Sequence, residues 1–159
     1  MSYGHYAAED LLEARARYSA VGVAQGAQIR TSEGDLPVEY LCPGDRIVTR
    51  SGMRVLRAVT VQHADRHVLR FPAGSLGQGR PQSVLYLGAQ TRMPLGGWRA
   101  QTLYEAETAS VPASKLCDGQ VVRVALERPV RLYALHFDTV ETFFAEGIEV
   151  EAQVVPATA

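Results

Sequence analysis

A stretch of 12 residues occurs twice in this chain. Pro37-Val38-Glu39-Tyr40-Leu41-Cys42-Pro43-Gly44-Asp45-Arg46-Ile47-Val48 returns as Pro112-Ala113-Ser114-Lys115-Leu116-Cys117-Asp118-Gly119-Gln120-Val121-Val122-Arg123. Pro37, Leu41, Cys42 and Gly44 match Pro112, Leu116, Cys117 and Gly119 at a constant spacing of 75 positions. Carried forward, that spacing sets Val55 against Val130, inside the strand-like runs Met53–Val61 and Arg128–His136. A duplicated unit of this kind predicts an all-β fold in two related halves. Each half is too thin to bury its own apolar face, so the halves close on each other.

A chain of 159 residues is one domain by length and has enough material for a core. An apolar share of 47% and a charged share of 21% match an ordinary soluble protein. A net charge of −1 sets up no field that would draw in nucleic acid or an anionic membrane. The six arginines Arg50, Arg54, Arg57, Arg66, Arg70 and Arg80 then read as a solvated face or a docking patch. No apolar run is long enough for a bilayer, and the N-terminus lacks the basic start and apolar middle of a secretory signal. The expected location is the cytoplasm. Cys42 and Cys117 have neither a C-x-x-C partner nor clustered histidines, so no metal site and no cofactor are expected. They read as small buried hydrophobes in a reducing compartment, with a disulfide between the halves as the alternative.

Only Tyr6–Ser19 has a helical pattern. Its alanines and leucines are good helix formers, Glu9 and Asp10 lie in the first turns, and Arg15 and Arg17 lie in the last. Leu11, Ala14 and Tyr18 share a face with Ala7, so the helix docks on its own domain or on a partner chain. After Ala20 the pattern changes to short strands and turns. The expected organisation is a helical appendage over 1–20, a β domain over 21–155 and a tail over 156–159. Within the β domain, Met53–Gln62 reads as one long strand following a turn at Ser51-Gly52. Gly96-Gly97 followed by Trp98-Arg99-Ala100 reads as a hairpin, and the loosest stretch is Pro72–Gln82.

The usual catalytic arrangements are not legible. Neither cysteine is paired by pattern with His5, His63, His67 or His136, and His136 reads as a partly exposed or hydrogen-bonded strand residue. Glu33, Asp35, Asp45, Asp118 and Asp138 sit at turns, where acids satisfy local backbone. The glycines around Leu76-Gly77-Gln78-Gly79-Arg80 lack the lysine and following helix of a phosphate cradle.

Four blocks in order resemble bacterial Hint domains, the fold shared by hedgehog autoprocessing domains and inteins: Gly26–Gly34, Pro37–Asp45, Gly74–Gly79 and Ala145-Glu146-Gly147. The resemblance spans about Val21 to Val150 and implies a pseudo-twofold β horseshoe. It also implies self-cleavage chemistry, in which a cysteine or serine attacks the preceding carbonyl with help from histidines. In this sequence Gly22 takes the nucleophile's place. Gly88-Ala89-Gln90-Thr91 puts Thr91 where a histidine is expected, and Asp138-Thr139-Val140-Glu141-Thr142 puts Val140 where the second is expected. Acid/base help is worth roughly 10²–10⁴ in rate, but an acyl shift without a nucleophile has no path.

The expectation is therefore a catalytically inactive Hint-like domain, not an enzyme, that binds one or more protein partners as an accessory subunit of a larger assembly. Candidate binding residues are Leu11, Leu12, Tyr18 and Trp98. Residual self-processing through Cys42 or Thr91 is one alternative. Small-ligand binding in a cleft left by Gly22, Ala89 and Val140 is another.

Overall fold

The computed structural model describes residues 20–64, 67–96, 108–125 and 129–154. The expected helix Tyr6–Ser19, with Leu11, Leu12 and Tyr18, lies outside the described residues, as do Trp98 and the 156–159 tail. What is described is all β: β1 (Val23–Ala24), β2 (Gln28–Thr31), β3 (Gly34–Pro37), β4 (Arg46–Thr49), β5 (Gly52–Val55), β6 (Ala58–Ala64), β7 (Val68–Phe71), β8 (Leu85–Gly88), β9 (Arg92–Gly96), β10 (Thr108–Pro112), β11 (Arg123–Val124), β12 (Val130–Phe137), β13 (Thr142–Ala145), β14 (Ile148–Glu151) and β15 (Gln153–Val154). Single 3₁₀ turns cover Val38–Tyr40 and Ala113–Leu116.

Local chemistry explains the hairpins. Thr31 donates its hydroxyl to Gly34 O (2.6 Å) and accepts the N–H of Glu33, and Thr49 does the same with Gly52 O (2.7 Å) and the N–H of Ser51. Each threonine thus closes its own turn with a side-chain oxygen. Glu146 and Gly147, both at positive φ, form the tight β13–β14 turn.

Seven strands form one sheet, in the order β11-β7-β8-β1-β12-β15 with β6 also on β12. A six-stranded sheet runs β14-β13-β2-β4-β5 with β3 on β2, and β9 and β10 form a separate ribbon. The register relates the two halves of the sequence. Thr49 of β4 faces Phe143 of β13, and Val124, 75 positions after Thr49, faces Leu69 of β7. Each half therefore lends a strand to the other. At the centre Val23 faces Leu87, 64 positions later. The turns that follow repeat bond for bond: Ala27 N–H to Ala24 O (3.2 Å) and Thr91 N–H to Gly88 O (3.0 Å), then Val38 N–H to Ala27 O (2.9 Å) and Ala113 N–H to Thr91 O (2.8 Å). The spacing grows from 64 to 75 because the β9–β10 connection is longer than the β2–β3 turn.

The main core lies between these layers, with Ile29, Ile47, Leu56, Phe71, Leu87 and Phe137 fully buried or nearly so. Each such side chain contributes roughly 1.5–3 kcal/mol of burial.

Several expectations need correction. The long strand Met53–Gln62 is broken at Leu56-Arg57. Leu56 turns fully inward, donates to Asp45 O (2.8 Å) and accepts from Gly44 N–H (2.7 Å), which ends β5 and re-aims the chain into β6. The turn before β5 is Arg50-Ser51, with Gly52 already in the strand. The hairpin partner of β9 is Thr108–Pro112 and Gly96 is paired within it, while residues 98–100 lie outside the described residues. Of the two readings of His136, the hydrogen-bonded one holds and the partly exposed one does not, since the residue is buried. Its Nε2 lies 2.8 Å from Thr60 Oγ1. Cys42 is exposed, Cys117 is half-buried and both are free thiols, so the expectation of buried cysteines fails for Cys42.

Candidate functional site

The segment Ala20-Val21-Gly22-Val23-Ala24 has no side chain larger than valine. That lets β1 run through the middle of the seven-stranded sheet, between β8 and β12. Gly22, just ahead of β1, has a φ of +128°, a backbone state that side chains disfavour. A Cβ built on it would lie 2.8 Å from Tyr133 O and 2.9 Å from Tyr133 C. The crowding atoms are backbone, so the position has no room for any side chain.

Thr91 comes to Gly22 from the turn after β8. Its Oγ1 accepts the Gly22 N–H at 3.0 Å and donates to Gly22 O at 3.2 Å, and it is 1% exposed. Gly22 O also accepts the N–H of Gly88 at 3.0 Å. Gly88 makes a second close approach, since a Cβ there would lie 2.5 Å from Ala20 O. Ala20 O in turn accepts the N–H of Gln90 at 2.9 Å, and Val21 N–H points to Gln62 Oε1 at 3.4 Å. One hydroxyl thus holds both polar groups of Gly22. Its lone pair faces an amide proton and its own proton faces a carbonyl oxygen, so this geometry positions backbone.

Of the three positions singled out by sequence, Gly22 and Thr91 are brought into direct contact, while Val140 is 57% exposed ahead of β13. Four residue steps along β12, about 13 Å at roughly 3.3 Å per step, lead from Tyr133 beside Gly22 to Phe137, and Val140 follows that end in the chain. The neighbour of Val140 was missed by sequence reasoning. Glu141 is buried, receives the Thr139 hydroxyl and lies 3.6 Å from the Arg54 guanidinium. Its signal was an acid set directly against the apolar run Thr142-Phe143-Phe144-Ala145. Glu146 was also missed. It is buried, and its Oε1 accepts the Gln28 N–H at 3.1 Å to tie the β13–β14 turn to β2.

The cysteines stay away from this arrangement. Cys42 N–H donates to Asp45 Oδ2 (2.8 Å), and its Sγ lies 3.8 Å from Tyr40 O at an exposed corner. In the second half Asp118 Oδ1 accepts the N–H groups of Gln120, Val121 and Val122 at 2.9, 2.9 and 3.0 Å. Those bonds, led by the one from Gln120, hold its carboxyl below the ordinary carboxylate range. No cluster of three metal-ligating side chains occurs among the described residues.

Two cavities lie elsewhere. One of about 310 Å³ lies between the glycine loop and β9, with Leu76, Arg80, Met93, Leu116 and Ile148 in its wall, and another of about 360 Å³ lies beside Leu36 and Asp45. Neither includes Gly22, Ala89 or Thr91. Gly22 and Ala89 are both buried, Gly22 against the Tyr133 backbone.

Residues 21–156 match the Hint domain profile, most of the chain. The chain belongs to the Hint domain family. Among solved structures this Hint domain is similar to a bacterial intein-like domain from Clostridium thermocellum, at 15% identity and a TM-score of 0.62, covering 84% of this chain and 99% of that one. It is also similar to the gp41-1 intein, at 11% identity and a TM-score of 0.56 over 85% and 99% of the two chains. The MchDnaB-1 intein aligns at 15% identity and a TM-score of 0.54 over 83% and 99%. At such identities these likenesses establish the intein-like fold. No curated protein matches the sequence.

Proposed function

We propose that this Hint domain does not process itself and serves as a protein-binding module, an accessory subunit in a larger assembly. One observation carries the reading: the residue in the nucleophile's place, Gly22, has no side chain and no space for one beside the Tyr133 backbone. The Thr91 hydroxyl beside it bonds both the Gly22 N–H and the Gly22 carbonyl oxygen. Nucleophilic catalysis needs a thiol or hydroxyl aimed at a carbonyl carbon with a base in reach.

Support for binding comes from β5, the terminal strand of its sheet, where all four residues are exposed and Met53 and Val55 face solvent. An exposed edge strand with apolar side chains offers backbone pairing to a partner. Intact mass spectrometry of the full chain, with and without a strong thiol, tests the first half of the proposal. The expected result is a single unchanged mass in both, and thiol-dependent loss of the first 21 residues would overturn it. Native-mass analysis tests the second half. A complex that survives purification and is lost in Met53→Asp/Val55→Asp supports it, and a protein that runs alone at 17.3 kDa under every condition counts against it.

A further inference from the structure

By sequence Pro72–Gln82 is the loosest stretch of the chain, yet in the fold its backbone is tied down. Gly74 N–H donates to Pro81 O (2.9 Å), Leu76 N–H to Arg80 O (2.9 Å) and Arg80 N–H to Gly77 O (3.0 Å), which closes the glycines into a loop. Gln82 N–H then donates to Glu146 O (2.9 Å) and fastens the loop to the β13–β14 turn. Beside it, β9 and β14 run past each other without pairing, one in the ribbon with β10 and the other at the end of the six-stranded sheet. The Ser110 hydroxyl of β10 donates to the Glu151 carboxylate at one end of β14. At the other end, around Ile148, the gap stays open as a cavity of about 310 Å³. That is near the lower bound of small-molecule sites, roughly 300–1,000 Å³.

The wall of this cavity is largely apolar, with one charge to spare. Leu76, Met93, Leu116 and Ile148 line it, and each belongs to the main core or packs against it, which holds their positions. Two charged residues complete the wall. Glu149 is taken by the Arg50 guanidinium, at 3.3 Å. Arg80 is exposed, and no ion pair engages it among the described residues. Its N–H and its carbonyl are both bonded within the loop, so the backbone fixes where its guanidinium starts.

We propose that this cavity binds a small aliphatic carboxylate, with the carboxylate on Arg80 and the hydrocarbon tail against Leu76, Met93, Leu116 and Ile148. A guanidinium presents paired N–H donors that match the two oxygens of a carboxylate. The apolar wall rewards each methylene removed from water. A cationic ligand would meet the unpaired charge of Arg80, and an inorganic anion would leave the apolar wall unused. The site includes neither Gly22 nor any residue of β5, so its occupancy does not depend on the role of either.

Nuclear magnetic resonance titration of the full-length chain with hexanoate tests the site, with hexanamide as the uncharged isostere and acetate as the acid without a tail. Millimolar binding is expected for a ligand this small, with saturating shifts at the amides of 76–80 and 148–149. Hexanamide and acetate should each bind at least about tenfold more weakly. Arg80→Gln should weaken hexanoate about tenfold, while Arg123→Gln, at an exposed arginine outside the cavity, should leave it unchanged. The amides of β12 report that each variant is folded. Hexanamide binding as tightly as hexanoate, full affinity in Arg80→Gln, or shifts that grow linearly without saturation would each overturn the proposal. A tripeptide ending in leucine separates the two sources of such a group. Saturation by its free acid and not by its C-terminal amide assigns the site to a chain terminus, and saturation by hexanoate alone assigns it to a free fatty acid.

Discussion

Ala27 and Thr91 occupy the same place in the two halves of the molecule. Each follows a turn closed by its own N–H, on Ala24 O and Gly88 O, and each carbonyl receives the first N–H of a 3₁₀ turn, from Val38 and Ala113. The backbone is duplicated and the side chains are not. Ala27 packs into the main core, whereas Thr91 reaches across to grip Gly22. The same holds one step earlier, where Gly22 has Tyr86 as its counterpart at a spacing of 64 positions. A repeated scaffold thus supplies two equivalent frames. What distinguishes them is which frame is given a side chain that meets the centre of the sheet.

Substitution at glycines should break this comparison most sharply. Gly22→Ala forces a Cβ against the Tyr133 backbone at positive φ, and a loss of about 3 kcal/mol or more is expected in urea unfolding. Gly26, also at positive φ but with open space around its Cβ position, should lose only about 1 kcal/mol as Gly26→Ala. Equal losses would mean that conformation, and not crowding, makes Gly22 special. Next in size is Thr91→Val, which keeps the shape and removes the hydroxyl. It leaves the Gly22 N–H without that acceptor in a buried place and should cost about 1–3 kcal/mol.

The two cysteine corners sharpen the comparison on a smaller scale. Asp45 takes one backbone N–H, from Cys42, while Asp118 takes three. Asp118→Asn should therefore destabilise more than Asp45→Asn. The folded carboxyl of Asp118 is held below its ordinary range, so its stabilisation is complete above that range and fades as pH falls toward the folded value. A thermal-denaturation series on the acid side should show that slope in the parent and a flatter one in Asp118→Asn. The smallest effect belongs to Arg57→Ala at the exposed Arg57–Asp138 pair, expected within about 0.5 kcal/mol.

Much of the architecture was legible in the sequence because it depends on local chemistry repeated twice. Pro37 and Pro112 each end a strand and open a 3₁₀ turn, and Gly44 and Gly119 both take positive φ, as their matched places in the two corners suggested. The spacing of 75 even returned in the pairing of Thr49 and Val124 with exchanged strands. What was not legible depended on long-range burial. Leu56 breaks a run of strand-forming residues because a core pocket 0% exposed receives it, and no local pattern announces that. His136 alternates like an exposed residue, but both faces of its strand are covered. At the site, sequence named Gly22 and Thr91 separately, while their mutual hydrogen bonds across 69 positions required the fold. Glu141 reads in sequence as one more acid beside a turn, and its burial against Arg54 and Thr139 arises only in the fold.

The exchange of strands between halves bears on how the chain acquires its structure. β1 closes the sheet only against β12, more than a hundred positions downstream, and β4 completes its sheet only with β13. Contacts of such separation make folding slow relative to helical proteins of equal size. A nascent chain emerging from the ribosome would hold its first strands as open edges until residues near Phe143 were made. Until then the chain can form the Thr31 and Thr49 hairpins and the β7–β8 and β9–β10 pairs but not the joins between halves, which makes that interval the time when a chaperone, or an early partner, has most to act upon.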